Sequence, residues 1–177
     1  MRIISGKYKG KKLKEFELSS TKPTLDKVKE AIFDMLDFKC IDAKVLDLFA
    51  GTGALGIEAI SRGADFTYLV DANKQAVNLI KENLQGIIGD YEIVLSDFKD
   101  FLKKTNDKFD IVFLDPPYDT NFGLEAIKML FENNLLNDES VVIFETSLDK
   151  TVDLKEFSSN VKMKKYGTVA VYKIIKE

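Results

Sequence analysis

Apolar positions along the chain follow two periods. Behind Pro23 and Thr24, the residues Leu25, Val28, Ile32, Phe33 and Leu36 recur three or four apart, which predicts a helix that Thr24 can cap. KVLDLF, residues 44 to 49, is instead a short run rich in apolar residues, as expected of a strand buried in a parallel sheet. From there the two patterns alternate. A helix over 54 to 62, with Leu55, Ala59 and Ile60 on one face, precedes a strand over 66 to 70. Asn73 opens a helix carrying Ala76, Val77, Ile80 and Leu84 on its face, and strand YEIVL comes next. A helix over 97 to 104, strand FDIVFL, a helix from about 122 to 133 and strand SVVIFE complete the alternation, and NVKMKKY and TVAVYKII form a closing hairpin about Gly167. Seven strands interleaved with helices predict an α/β doubly wound sheet. The first residues are different: RIIS, GKYKG and KKLKEF read as a basic two-stranded β-ribbon over residues 1 to 20, with Gly6 and Gly10 at its turns, and residues 21 to 177 form the body.

Composition narrows the function classes. The 177 residues fit one domain, and 45% hydrophobic content is ample for one core. No run approaches the roughly 18 apolar residues of a membrane span. MRIISGKYKGKKLK has no signal-peptide core, so the expected location is cytoplasmic. A single cysteine, Cys40, excludes an intrachain disulfide and a cysteine zinc cluster, and the absence of histidine removes every mechanism needing an imidazole base. No metal site is expected. Net charge is only -3, but residues 1 to 30 hold nine Lys or Arg against four acids, a balance of +5, which leaves 17 basic against 25 acidic residues elsewhere. That split suggests a polyanion contacted by the amino-terminal end through Arg2, Lys7, Lys9, Lys11 and Lys12.

DLFAGTGALG, residues 47 to 56, sets Gly51, Gly53 and Gly56 between a strand and a helix, the context in which G-x-G-x-x-G has meaning. Asp71 closes the next strand 20 residues beyond Gly51, the distance at which a carboxylate binds ribose hydroxyls. Asp47 selects among nucleotide-like ligands. Its charge at the carboxyl end of the strand repels a pyrophosphate and attracts an ammonium. S-adenosylmethionine (SAM) carries an ammonium and a sulfonium and no phosphate. It is favoured over a dinucleotide or an unliganded turn, with Asp47, Phe49, Gly51, Gly53 and Asp71 about it. Asp97, after YEIVL, is placed to accept from the adenine amino group, to cap a helix, or both.

DPPY, residues 115 to 118, follows FDIVFL and falls at the same sheet edge. Consecutive prolines, Pro116 and Pro117, stiffen the loop. The Asp115 carboxylate and the Pro116 carbonyl can then accept from one exocyclic amino group, favouring the tetrahedral nitrogen that attacks a methyl sulfonium. Tyr118 offers a flat face for a base that has left its stack.

With RIISGKYKGKKL, KPTLDKVKEAIFDML, DLFAGTGALGIEAISRGA and FLDPPY in view, the chain resembles the RsmD family of 16S ribosomal RNA guanine-N2 methyltransferases, which modify guanine 966, over essentially its whole length. The resemblance implies a Rossmann-like class I SAM-dependent methyltransferase fold with strand order 3-2-1-4-5-7-6, SAM as cofactor, and a ribbon that grips 16S RNA, in a small-subunit particle where ribosomal proteins complete the docking surface. A monomer is expected. It also brings Thr24 and Asp26 beside the cleft. Where the family reads R-P-T-x-D-R-V-R-E, this chain has Lys22, Lys27 and Lys29, which keep the charge but lose the bidentate fork. DPPY does not by itself distinguish guanine N2 from adenine N6 in DNA or from another ribosomal guanine. A non-catalytic RNA-binding protein that keeps a SAM pocket is the reading from another class.

Overall fold

The computed structural model describes residues 1–17 and 24–177. Its centre is a seven-stranded sheet in the order β3-β2-β1-β4-β5-β7-β6. The strands are β1 (Lys44–Asp47), β2 (Phe66–Asp71), β3 (Tyr91–Leu95), β4 (Phe109–Leu114), β5 (Leu136–Ser147), β6 (Val161–Tyr166) and β7 (Val169–Ile175). β1 to β5 run parallel, β7 alone reverses direction, and its hairpin partner β6 runs the same way as the first five. The strand order implied by the family resemblance is therefore the observed one. Five helices complete the chain: α1 (Thr24–Leu36), α2 (Ala54–Ser61), α3 (Lys74–Asn83), α4 (Phe98–Lys104) and α5 (Phe122–Glu132).

Alternation along the strands divides the core into layers. Leu46, Val112, Leu114, Val142 and Phe144 point to the face covered by α4 and α5. Val45, Ile111, Phe113, Ile143 and Val171 point to the other face, under α1. On that second face, toward β2, Leu69 packs with Ile57, Ile60 and Ile80 of α2 and α3. β5 starts earlier than its apolar run suggests. Leu136 pairs with Phe109, and the register then jumps to Ile111 opposite Val141, so polar Asn137, Asp138 and Glu139 sit in an irregularity that hides the strand's first residues.

The amino-terminal segment is part of the body's packing. Its two arms pair at an antiparallel bridge, Arg2 with Lys12, with Ile3 N–H donating to the Lys11 carbonyl and Leu13 N–H to the Met1 carbonyl, while Ile3 and Leu13 are buried in the cluster beneath α2 and α3. Gly6, at φ +83°, approaches α2 so closely that a Cβ would stand 1.9 Å from the Ser61 carbonyl oxygen, so only glycine fits. Three buried polar groups bind the segment down. Ser61 Oγ accepts from Tyr8 N–H at 3.0 Å and donates to the Ser5 carbonyl at 2.7 Å. Asn83 accepts from Lys14 N–H at 2.7 Å and donates to the carbonyls of Lys14 and Thr52 at 3.1 and 2.9 Å. Glu58 is the third. It accepts from Ile4 N–H (2.8 Å) and Ser5 N–H (3.0 Å) and pairs with Lys29 of α1 (3.1 Å) and Arg62 (2.8 Å). Burial lowers the Lys29 pKa against the opposing pull of Glu58, and Lys29 also donates to the Arg2 carbonyl at 2.5 Å.

Removing one member of a buried charge network leaves the others uncompensated, at a cost of about 3–5 kcal/mol. Glu58→Ala is therefore expected to destabilise the chain by that order in denaturant titration. Amide exchange at Ile4 and Ser5 should accelerate more than exchange at β4. Equal acceleration at both places would refute a local hub.

Candidate functional site

The carboxyl ends of the parallel strands open on a cavity of about 1030 Å³. Its walls come from the turn after β1 (Asp47 to Thr52), the ends of β2 and β3 (Asp71 and Asp97), the loop after β4 (Asp115 to Tyr118), and Glu145 of β5. α1 contributes Val28, Lys29 and Ile32, and the amino-terminal segment contributes Met1, Glu15 and Phe16. The cavity thus joins the two motifs that the sequence sets 60 residues apart.

Asp47 closes the strand-turn-helix unit from inside. It is 1% exposed, and its Oδ2 accepts from Gly56 N–H at 2.9 Å, in the first turn of α2. Gly56 permits this, because a Cβ there would stand 2.8 Å from Leu69 Cδ2 and 3.2 Å from Asp47 Oδ2. Burial pushes the Asp47 pKa from its ordinary 3.8 up to about 7, the Gly56 N–H opposes the rise, and the Asp71 charge adds to it. The turn's other amides are also engaged: Gly51 N–H donates to Asp71 Oδ2 at 2.8 Å, and Gly53 N–H to the Ala50 carbonyl at 2.7 Å. A pyrophosphate needs such amides and a positive helix start. Here Asp71 already holds the Gly51 amide, and Asp47 the Gly56 amide in the first turn of the helix.

Asp71 spends its second oxygen on Asn73 N–H at 2.8 Å, and each of its oxygens keeps a lone pair for a further donor. Asp97 caps α4, accepting from Lys99 N–H at 2.8 Å, and also faces the cavity. Between these acids lies an apolar wall. The rings of Phe49 and Phe98 stand 5.2 Å apart, as do those of Phe98 and Phe122. Acceptors at the rim and aromatic carbon between them suit a nucleoside.

The third part is acidic. Phe113 pairs with Ile143 and Leu114 with Phe144, so the next residues, Asp115 and Glu145, emerge beside each other on the face that Asp47 also occupies. Asp115 faces open cavity, yet protein surrounds it on the scale over which charge is screened. Burial, with Glu145 and Asp47 nearby, raises its pKa well above the usual carboxylate range. Glu145, 8% exposed, is raised by burial, while the Tyr118 hydroxyl that donates to its Oε1 opposes the rise. Tyr118 is 37% exposed, and its hydroxyl is pushed far up by burial and by Glu145.

Of the residues named from sequence, Asp47, Phe49, Gly51, Asp71, Asp97 and the whole of Asp115, Pro116, Pro117 and Tyr118 line this one cavity. Gly53 does not. A Cβ there would press on Ile57, Ile80 and Leu69, so it serves the packing of the turn. Arg2, Lys7, Lys9 and Lys12 are exposed outside the cavity, and Lys11 donates to the Gln85 carbonyl. Asp26 is half-buried, with one oxygen enclosed and unpartnered among the described residues. Thr24 begins α1, and Lys22 lies outside the described residues. Sequence reasoning missed Glu145, Phe98 and Phe122, and marked Lys29 as a departure from the family pattern without placing it in the cavity wall. Only Glu145 left a signal, an acid closing the apolar run SVVIF.

The family model described as conserved hypothetical protein 95 matches residues 1–175. The protein named ribosomal RNA small subunit methyltransferase D of Haemophilus influenzae is 37% identical over 175 residues, covering 96% of this chain and 91% of that protein. Its namesake from Escherichia coli is 35% identical over 150 residues, or 84% and 76%. Among solved structures, a candidate methyltransferase of Escherichia coli, yhhF, superposes with a TM-score of 0.87 at 31% identity, covering 100% of this chain and 98% of that one. Sequence and backbone agree with these proteins over most or all of the chain, and the chain belongs to the RsmD family.

Proposed function

We propose that this chain transfers the methyl group of SAM to the exocyclic N2 amino group of a guanine in 16S ribosomal RNA. The observation that carries the proposal is the single cavity in which a glycine turn closed by Asp47 faces the Asp115 to Tyr118 loop. Relatives named as small-subunit ribosomal RNA methyltransferases supply the substrate class.

The donor set fits SAM. Asp47 offers a buried carboxylate to an ammonium, Asp71 offers lone pairs to ribose hydroxyls, and Asp97 offers one to an adenine amino group. Bound there, SAM supplies an electrophilic methyl whose bond to sulfur breaks, its electron pair leaving on sulfur, as the bond to nitrogen forms. The residues of the chain do the rest. A guanine amino group is a poor nucleophile because its lone pair is delocalised into the ring. Asp115 and the Pro116 carbonyl accept its two N–H groups and favour the pyramidal, attacking nitrogen. Methylation makes that nitrogen acidic, and its proton leaves to Asp115 or to water. With its raised pKa, Asp115 is suited to receive it. Tyr118 holds the base face on, and exposed lysines of residues 1 to 20 hold the phosphates. In this reading the enzyme acts as a cytoplasmic monomer on a small-subunit particle whose proteins complete the docking surface.

Labelled SAM offered with small subunits and with bare 16S RNA, followed by digestion to nucleosides, is expected to yield N2-methylguanosine. N6-methyladenosine, or no transfer by a SAM-binding protein, would overturn the proposal. Asp115→Ala should lower transfer by about 10²-fold or more while sparing SAM affinity, and parallel loss of both would break this division of roles.

Asp47→Asn separates cofactor binding from stability. The rise from 3.8 to about 7 is worth up to roughly 4 kcal/mol. A raised carboxyl contributes stability fully present below its unfolded value and lost as pH rises through the folded one. The asparagine variant should therefore melt higher than the parent at pH 8, the gap closing between pH 7 and 3.8. It should also bind SAM more weakly. A difference between variant and parent that is the same at both ends of that window would contradict the assignment.

Replacing exposed Lys7, Lys9 and Lys12 by Ala should weaken RNA binding and reduce the slope of log affinity against log salt by about 2. An unchanged slope would place the phosphates elsewhere.

A further inference from the structure

We infer that Glu145 is the residue that selects guanine, its free oxygen accepting from the ring N1–H while Asp115 accepts from the N2 amino group. The inference rests on the guanine reading above and extends it from the reacting atom to the choice of base.

Three observations carry it. Glu145 is more than nine-tenths buried in β5, yet it lines the cavity beside Asp115. Its Oε1 is fixed by the Tyr118 hydroxyl, and among the described residues no donor reaches its second oxygen. Holding Tyr118 requires one acceptor, which an amide side chain would supply without a buried charge, so the second oxygen has no structural use. The third observation is placement. Tyr118 is the ring on which the base is proposed to stack, and a base on that face has its edge within reach of the carboxylate bonded to the ring's hydroxyl. Glu145 and Asp115 then present two adjacent acceptors to one base edge.

Base chemistry makes this pair selective. Adenine, cytosine and guanine all carry an exocyclic amino group, but only guanine has an N–H at the ring nitrogen next to it. Adenine and cytosine have a lone pair there. Two acceptors side by side match guanine's two donors and set an acceptor against a lone pair in the other two bases, an unpaired polar contact that a buried site tolerates poorly. Asp115 and the Pro116 carbonyl would serve any amino group equally well. Glu145 accounts for a choice that the DPPY motif leaves open.

The test uses 16S RNA carrying either guanine or 2,6-diaminopurine at the accepted position, bare or assembled into small subunits. Diaminopurine keeps the N2 amino group and replaces N1–H by a lone pair. The unaltered chain is expected to prefer guanine by about tenfold to a hundredfold in kcat/KM. Glu145→Gln keeps an acceptor for Tyr118 but can turn an N–H toward the base, so the preference should fall to within about threefold or invert in favour of diaminopurine. If Glu145 only positions Tyr118, the variant will lose activity on both substrates alike and the ratio will not move, which overturns the inference while leaving guanine transfer standing. Equal transfer to both bases by the unaltered chain overturns it without any variant, so a Glu145→Gln chain that failed to fold would still leave a decisive measurement. Transfer to adenine N6 instead of guanine would overturn the reading on which the inference rests, and the inference with it.

Discussion

The bond from Gly56 N–H to the Asp47 carboxylate is the constraint on which the site depends. It joins the end of β1 to the first turn of α2 across the glycine turn, and it exists because Gly56 has no side chain to hold the helix away from Leu69 and Asp47. Its energetic sign is mixed. The amide stabilises the charge, while burial and Asp71 oppose it more strongly, so the carboxyl sits near neutrality's edge at about 7. A structural carboxylate would have been better placed in solvent. A carboxylate kept at this cost in the wall of the cavity is what a site for a cationic ligand requires.

The second dependency runs from outside. A hairpin of some 17 residues has too little core to hold itself, so its position must come from the body. Ile3 and Leu13 supply apolar anchorage, and Glu58, Ser61 and Asn83 satisfy the segment's backbone in register. Asn83 also donates to the Thr52 carbonyl, so a single side chain couples the amino-terminal segment to the glycine turn. Met1, Glu15 and Phe16 thereby become a wall of the cavity, and the lysines of the same segment are carried to its outside.

Much of this was legible in the sequence, for reasons that can be named. Strand and helix periods give the doubly wound sheet because each element buries one face or both, and FDIVFL and YEIVL match β4 and β3 residue for residue. Glycine spacing, Asp71 and DPPY converge because parallel strands deliver their carboxyl ends to one edge. What stayed hidden depends on neighbours distant in the chain. Glu58 sits in an apolar helix and has no local signature of a hub, since its partners come from residues 4, 5, 29 and 62. Phe98 and Phe122 read as ordinary core residues until the ring of Phe98 is seen to pack between those of Phe49 and Phe122. Alternation and turn glycines indicated that the first residues pair, as Arg2 and Lys12 do, but they gave no sign that the body also satisfies the segment's backbone through Glu58, Ser61 and Asn83.

Charge is sorted by position, and that sorting bears on how a nucleic acid can enter. Asp47, Asp71, Asp97, Asp115 and Glu145 line the cavity and outnumber its Lys29 and Lys74, whereas Arg2, Lys7, Lys9 and Lys12 stand outside it. An intact phosphodiester backbone is repelled by the first group and held by the second. A base alone carries no charge, and guanine presents donors along one edge. On the proposed function, the field of the cleft favours a base that has left its stack over the backbone that carries it. In the proposed reaction the same acids that receive the cationic methyl donor thus also enforce an extruded substrate, and no separate device is needed to keep helical RNA out.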